Sequence, residues 1–252
     1  MADLNPLPSW PPSSPPPPPT PLLVTPTPGI IASVALLLVF VIGQPLLVTL
    51  FLHLQRALPF SHWDAAWPLW LSLVLTYALV WGMLARLLSG GHWSAFWGGP
   101  VGRARLLGAW ALGLGLQLVV VGLVVGITQD LESLEKDSEF IHLMNASLWD
   151  RLFLALMAGL LAPFTEEALF RGALYPALRH RLGVWGGGVL VTLPFTLLHG
   201  AQAGWHWEYL LGVALAGGVL VAVRESTGGL RIPIALHMGF NALGLMAMWP
   251  QS

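Results

Sequence analysis

The amino-acid sequence predicts an all-α fold, a polytopic transmembrane helical bundle of about seven to eight spans with a polar cavity. Of its 252 residues, 56% are hydrophobic and 9% are charged, whereas soluble domains carry about 25% charged residues. The mean hydropathy is +0.72. Several apolar stretches also reach about 20 residues, the length that an α-helix needs to cross the hydrocarbon core of a bilayer.

The composition also excludes some classes of function. The formal net charge is −1, so no basic surface is available to neutralise a phosphate backbone, and nucleic acid is not expected as a partner. The chain has no cysteine, which excludes disulfides and thiolate metal sites. Lys136 is the only lysine among the 11 basic residues, and this arginine bias indicates a bacterial source.

Residues 1–29 are predicted to form a disordered, proline-rich tail. They include the run from Pro15 to Pro19, and proline cannot continue the hydrogen bonding of a helix. The segment lacks the basic region that begins a signal peptide, so it is not expected to be a cleaved one. Residues 30–147 are predicted to form the N-terminal transmembrane helices, and residues 148–252 a catalytic membrane region.

Seven transmembrane spans are predicted from the apolar stretches. The first is expected to bend near Gly43-Gln44-Pro45, because proline disturbs a helix interior. The fourth continues past Pro163, and an eighth span would result if the helix broke there. The predicted spans cover residues 30–54, 67–88, 106–127, 148–177, 185–200, 207–223 and 232–249.

The positions of the basic residues predict the orientation. With the N-terminus in the cytoplasm, eight basic residues fall on the cytoplasmic side and three outside, in agreement with the positive-inside rule. The predicted location is the inner (plasma) membrane, with the active site toward the cytosol. The eight are Arg86, Arg103, Arg105, Arg171, Arg179, Arg181, Arg224 and Arg231, and the three are Arg56, Lys136 and Arg151.

Ionisable side chains in three late spans indicate a function, because such groups are costly in hydrocarbon and usually face a polar cavity. In the first cluster, Glu167 and Arg171 are four residues apart, so on a helix they can face each other as a charge-compensating pair. Glu166 points about 100° away around the helix and is free for chemistry. A buried carboxylate in this position is suited to accept a proton from water.

The other two clusters repeat the four-residue spacing. Phe195 and His199 place an aromatic ring and an imidazole on one helical face, and His237 and Asn241 place an imidazole and a carboxamide together. Asparagine and histidine can donate hydrogen bonds without a full charge, which suits an oxyanion site in a low-dielectric cavity. One carboxylate, two imidazoles and one amide could activate water and stabilise a tetrahedral intermediate.

Each cluster alone also has a structural interpretation. A Glu-Glu-x-x-x-Arg string is often a solvated helix end, a single histidine often packs in a core, and an amide such as Asn241 often joins membrane helices. Their occurrence in order on three separate apolar spans favours a function. Two non-catalytic functions stay open, a transporter or proton relay along buried Glu and His side chains and a binding (immunity) protein.

Together the three clusters resemble the three motifs of the CAAX protease and bacteriocin-processing (CPBP, or Abi) family of intramembrane proteases. The resemblance covers about residues 148–249 and implies an all-helical membrane fold with CAAX-type endopeptidase activity. The motifs are Glu166-Glu167-x-x-x-Arg171, Phe195-x-x-x-His199 and His237-x-x-x-Asn241.

The resemblance also implies a role for each residue. Glu166 and His199 would activate the hydrolytic water, and His237 and Asn241 would support the oxyanion. The substrate would be a membrane-associated protein or peptide, and the second partner is the lipid bilayer. The residues that would support the site are Glu167, Arg171 and Phe195.

The sequence leaves the cofactor open. Members of the resembled family are commonly described as metalloproteases, and a divalent metal such as zinc would be held by Glu166, His199 and His237, since three ligands suffice for a catalytic zinc. The chain has no His-Glu-x-x-His, the local pattern in which two imidazoles one turn apart bind zinc. A metal-free mechanism, in which the glutamate activates water directly, is slightly favoured.

Overall fold

The computed structural model describes residues 28–57, 67–89, 92–129 and 147–247, and every regular element within these ranges is a helix. The predicted all-α fold is therefore confirmed. Residues 1–27 of the predicted tail lie outside the described residues. In chain order the elements are α1 (Ile30–Ala57), α2 (Trp67–Leu87), α3 (Trp93–Trp97), α4 (Arg103–Thr128), α5 (Leu148–Leu156), π1 (Met157–Leu161), α6 (Ala162–Glu167), π2 (Ala168–Leu174), α7 (Tyr175–Leu198), α8 (Trp207–Thr227) and α9 (Arg231–Ala247).

Five helical segments of the described chain are long and apolar enough to cross a membrane, namely α1, α2, α4, α8 and the continuous stretch Leu148–Leu198. Large apolar side chains on these helices point outward, as lipid-facing residues do; Leu112 is 69% exposed. The protein is therefore a multi-pass membrane protein. The predicted count of seven to eight spans is not established, because Leu148–Leu198 forms one helical stretch and α9 has only 17 residues.

Gly183 folds the long stretch back on itself. Its backbone has φ +71° and ψ −177°, a conformation that glycine adopts readily and other residues do not. A Cβ on Gly187 would lie 2.8 Å from the backbone nitrogen of Arg179. Residues eight apart would be about 12 Å apart along a straight helix, so the arm after Gly183 packs against the arm before it. This turn separates the predicted fourth and fifth spans.

Two proline-containing helices are continuous where a break or bend was considered. The arm before Gly183 continues through Pro163, which lies in the first turn of α6, two residues after π1 ends at Leu161. Proline removes one backbone hydrogen bond and crowds the carbonyl of the preceding turn. The wider turns of a π-helix relieve that crowding, so the helix does not end there. Helix α1 is also one helix with Pro45 inside it, and the bend expected near Gly43-Gln44-Pro45 stays a prediction.

Helix α2 runs parallel to the arm that begins with α5. Near the start of both segments, the Trp70 indole N–H donates to Asp150 Oδ1 at 2.7 Å. Eleven residues later on α2, the Trp81 indole N–H donates to Thr165 Oγ1 at 3.1 Å. Two such contacts in the same order require parallel helices. Thr165 precedes Glu166, so α2 lies beside the helix that carries the predicted catalytic carboxylate.

Helices α4 and α9 cross with their backbones in contact. A Cβ on Gly113 of α4 would overlap the carbonyl oxygen of Leu236 and approach the backbone nitrogen of Phe240. A Cβ on Gly239 of α9 would overlap the carbonyl oxygen of Trp110. Small residues allow this close approach of membrane helices. Because Leu236 and Phe240 flank His237, the crossing fixes the position of that imidazole.

We expect Gly113→Ala to destabilise the protein by about 1–3 kcal/mol, the usual cost of overpacking, because backbone atoms of α9 cannot move aside as a side chain can. The matched control is Gly115→Ala on the same helix, where a Cβ meets no atom within 4 Å. Thermal unfolding in detergent measures both variants. Equal melting temperatures for the two variants would contradict the close contact between the backbones of α4 and α9 at Gly113.

Two of the eight arginines counted on the cytoplasmic side lie inside the bundle, which corrects that count. Arg171 is fully buried and Arg224 is 3% exposed. Both contact groups within the protein, so neither is a free charge in a loop. Without them the balance is still six to three, and the orientation with a cytoplasmic N-terminus stays a prediction.

Candidate active site

Two imidazoles converge on the Glu166 carboxylate, and this arrangement forms the centre of the site. Glu166 lies near the end of α6, His199 directly follows α7, and His237 lies on α9. The Nε2 atom of His237 is 3.8 Å from Glu166 Oε2, and the Nε2 atom of His199 is 4.0 Å from the same oxygen. These separations exceed a direct hydrogen bond.

Glu167 joins the predicted ion pair to one of the imidazoles. Arg171 Nη1 donates to Glu167 Oε1 at 3.0 Å, so the expected contact between residues four apart is present. The same oxygen is 2.9 Å from His237 Nδ1. A carboxylate ion-paired with Arg171 can only accept hydrogen bonds, so Nδ1 of His237 carries a proton. In the neutral imidazole the Nε2 lone pair then faces Glu166.

A backbone carbonyl fixes the second imidazole in the same way. His199 Nδ1 is 2.8 Å from the carbonyl oxygen of Phe195, and because a carbonyl only accepts, this nitrogen also carries the proton. The lone pair on Nε2 is thereby directed toward Glu166. Both histidines are held in one tautomer by a partner on the far side of the ring, an arrangement that orients imidazoles in catalytic and metal sites.

The Phe195 ring packs between the two histidines and the buried arginine of the site. It lies 4.7 Å from the His199 ring and 6.0 Å from the His237 ring, measured between centroids. The Arg171 guanidinium carbon lies 4.2 Å from the centroid of the Phe195 ring. This cation–π contact adds to the ion pair in stabilising a fully buried arginine.

Asn241 lies on α9 one turn after His237, and one of its amide hydrogens is already used. Asn241 Nδ2 donates to the carbonyl oxygen of Ala158 at 2.8 Å. Ala158 belongs to π1, where the wider turns leave carbonyl oxygens available for partners outside the helix. The amide thus joins α9 to π1, as expected for an asparagine between membrane helices. Its second N–H has no partner among the residues that the structure describes.

Two supporting contacts were not predicted from the sequence. Arg224 Nε donates to the carbonyl oxygen of Arg171 at 3.1 Å, and Arg171 Nη2 donates to the carbonyl oxygen of Gly217 at 3.0 Å. Both attach π2 to α8. Arg224 is the only basic residue of α8, an otherwise mostly apolar helix, and it is buried. It lies seven residues after Gly217 and therefore on the same helical face, which could have indicated this role.

The site does not present a preformed metal centre among the residues that the structure describes. No group of three or more His, Cys, Asp or Glu side chains in these ranges has the spacing to hold a metal ion. Ligands of a tetrahedral zinc lie about 2.0–2.1 Å from the ion, which places them closer to one another than the 3.8 Å and 4.0 Å measured here.

Comparisons with known proteins agree with the resemblance seen in the motifs. Residues 148–243 match a family model described as "Type II CAAX prenyl endopeptidase Rce1-like". This match confirms the resemblance to the CAAX protease family. A protein of Escherichia coli, described as an uncharacterized 24.3 kDa protein, is 33% identical over 105 residues. This similarity covers 40% of the chain and 46% of the relative, so the chain spans less than half the length of that curated relative. No solved structure is significantly similar to the chain.

Proposed function

Because residues 148–243 carry an Rce1-like domain of a protease family, we propose that the protein is an intramembrane endopeptidase. It hydrolyses a peptide bond of a membrane-associated protein or peptide, with water activated by Glu166. The observation that carries this proposal is the convergence of His199 Nε2 and His237 Nε2 on Glu166 Oε2. A carboxylate beside two oriented acceptors is arranged to bind and polarise a water molecule.

The proposed reaction begins with this water. Glu166 accepts one proton while the second hydrogen is held by His199 Nε2, so an oxygen lone pair is directed at the scissile carbonyl carbon. Attack moves the carbonyl electron pair onto its oxygen and gives a tetrahedral intermediate. When the C–N bond breaks, Glu166 returns its proton to the departing amine, as a general base that becomes a general acid.

His237 and Asn241 stabilise the oxyanion in this proposal. Asn241 offers the amide hydrogen that Ala158 does not use. His237 donates from Nε2 when it is protonated on both nitrogens, and the Glu167 carboxylate at 2.9 Å compensates the imidazolium charge. Donors held in place before the reaction stabilise a developing negative charge without reorganisation.

We further propose that the water is activated without a tightly bound metal. Exhaustive chelation of the purified protein is therefore expected to leave the cleavage rate within about twofold of the untreated rate, and elemental analysis to find less than one metal ion per chain. Activity that is lost on chelation and restored by zinc would overturn the metal-free mechanism and assign Glu166, His199 and His237 as ligands.

The endopeptidase function is tested by comparing the membrane proteomes of cells that express the wild type or Glu166→Ala. We expect at least one membrane-associated precursor to accumulate in the Glu166→Ala cells, while both proteins reach the same level in the membrane. The wild type is expected to restore the mature form on re-expression. Identical precursor and product levels in the two strains would contradict the proposal.

A further inference from the structure

The proposed mechanism uses more hydrogen-bond acceptors than donors. In their neutral forms both imidazoles present Nε2 lone pairs to Glu166, because their Nδ1 protons are held by Glu167 and by the carbonyl of Phe195. Asn241 has already given one N–H to Ala158. A tetrahedral oxyanion needs donors, so a neutral O–H or N–H on a neighbouring helix would complete the site.

Helix α2 brings one such group to the required level of the bundle. Because α2 runs parallel to the arm of α5 and α6, with Trp70 beside Asp150 and Trp81 beside Thr165, intermediate residues lie at intermediate heights. Tyr77 is four residues before Trp81, about one turn along the same face. It therefore lies about one turn from the contact at Thr165, close to the level of π1.

The Tyr77 side chain is positioned for a polar role. Its ring stacks on Phe40 of α1, with a centroid separation of 5.9 Å and an interplanar angle of 26°, which limits its rotation. Tyr77 is partly buried, and its hydroxyl has no hydrogen-bond partner among the residues that the structure describes. The Glu166 carboxylate is close enough to this phenol for an electrostatic interaction.

We propose that Tyr77 is an additional catalytic residue, whose phenol O–H donates a hydrogen bond to the carbonyl oxygen of the substrate as it becomes the oxyanion. This inference rests on the proposed endopeptidase function. Tyr77 keeps its proton throughout, since the proton removed from water is held by Glu166 and returned to the amine. The donor comes from α2, outside the part of the chain that matches the protease family, so the earlier helices complete the site.

The test uses Tyr77→Phe, which keeps the ring stacked on Phe40 and removes only the hydroxyl. In cells that express this variant, the precursor that accumulates with Glu166→Ala is followed by pulse-chase labelling. We expect its processing half-life to lengthen at least about 100-fold, the lower end of the range for loss of one oxyanion donor. The matched control is Tyr209→Phe on α8, which also loses one hydroxyl and is expected to process at the wild-type rate.

Glu166→Ala and Tyr77→Phe together test the role of Tyr77 separately from the proposed endopeptidase function. If the precursor accumulates with Glu166→Ala but Tyr77→Phe processes it within about twofold of the wild-type rate, the role of Tyr77 is overturned and the proposed function stands. If no precursor accumulates with Glu166→Ala, both are overturned. Tyr77→Phe protein is compared with the wild type by membrane abundance and melting temperature, so that a slow variant with unchanged stability supports the catalytic role.

Discussion

Glu166→Gln is expected to lower the peptide-cleavage rate of the purified protein by about 10²- to 10⁴-fold, the range typical for loss of a general base. Glutamine has nearly the same shape as glutamate but cannot accept a proton from water. Initial rates on the precursor that accumulates in Glu166→Ala cells measure the effect. Because Glu166 is not part of the Glu167–Arg171 ion pair, the melting temperature is expected to change little.

The matched control for this variant is Glu208→Gln in the first turn of α8, which removes one carboxylate elsewhere in the chain. It is expected to cleave at the wild-type rate. A Glu166→Gln protein that retains more than about one tenth of the wild-type rate would remove Glu166 from the proposed role.

Arg171→Leu is expected to lower the free energy of unfolding by about 3–5 kcal/mol, because it leaves the fully buried Glu167 carboxylate without its counter-charge. The double variant Glu167→Leu/Arg171→Leu is expected to recover most of that loss. Buried pairs can often be replaced by apolar residues at little cost, and here Glu167 Oε2 and Arg171 Nε have no hydrogen-bond partner among the described residues.

The double variant is nevertheless expected to be inactive. Without Glu167, the proton on His237 Nδ1 loses its acceptor, so neither the tautomer nor the ring orientation is fixed. Thermal unfolding in detergent and the cleavage rate are measured on the same samples. A double variant that is as unstable as the single one, or that regains wild-type cleavage, would contradict the assigned role of the pair.

Local features of the site could be predicted from the sequence because helix geometry determines them. The spacing of Glu167 and Arg171 places them in contact on any helix, and the measured 3.0 Å contact agrees. The same reasoning applies to Phe195 and His199. Apolar composition and segment length likewise predicted where most helices lie, since a bilayer imposes one length on every span.

Contacts between distant segments could not be predicted in this way. The hydrogen bond between Glu167 and His237 joins residues 70 apart, and no spacing rule connects them. The crossing at Gly113 depends on which face of α4 meets α9, and α4 is apolar on all sides, so its sequence does not mark that face. Arg224 was counted as a loop charge because it lies near the end of a predicted span, whereas its side chain turns inward.

The turn at Gly183 shows which part of this region the sequence predicts. The apolar stretches predicted that one span ends at residue 177 and the next begins at residue 185. In the structure Leu148–Leu198 is one helical stretch, and the positive φ of Gly183 divides it into two arms within the predicted gap. The fold of the site depends on this turn, because it brings His199 back to the level of Glu166.

If Glu166 drives hydrolysis of a peptide bond within the membrane, the formation of new protein N-termini depends on its carboxylate. Wild-type protein and Glu166→Gln protein are purified separately, and each is reconstituted in liposomes with membrane proteins extracted from Glu166→Ala cells. Mass spectrometry then identifies the new protein N-termini. We predict new N-termini with the wild type and none with Glu166→Gln. The same new N-termini with both proteins would contradict the role of Glu166. No new N-termini with either protein would contradict the endopeptidase function.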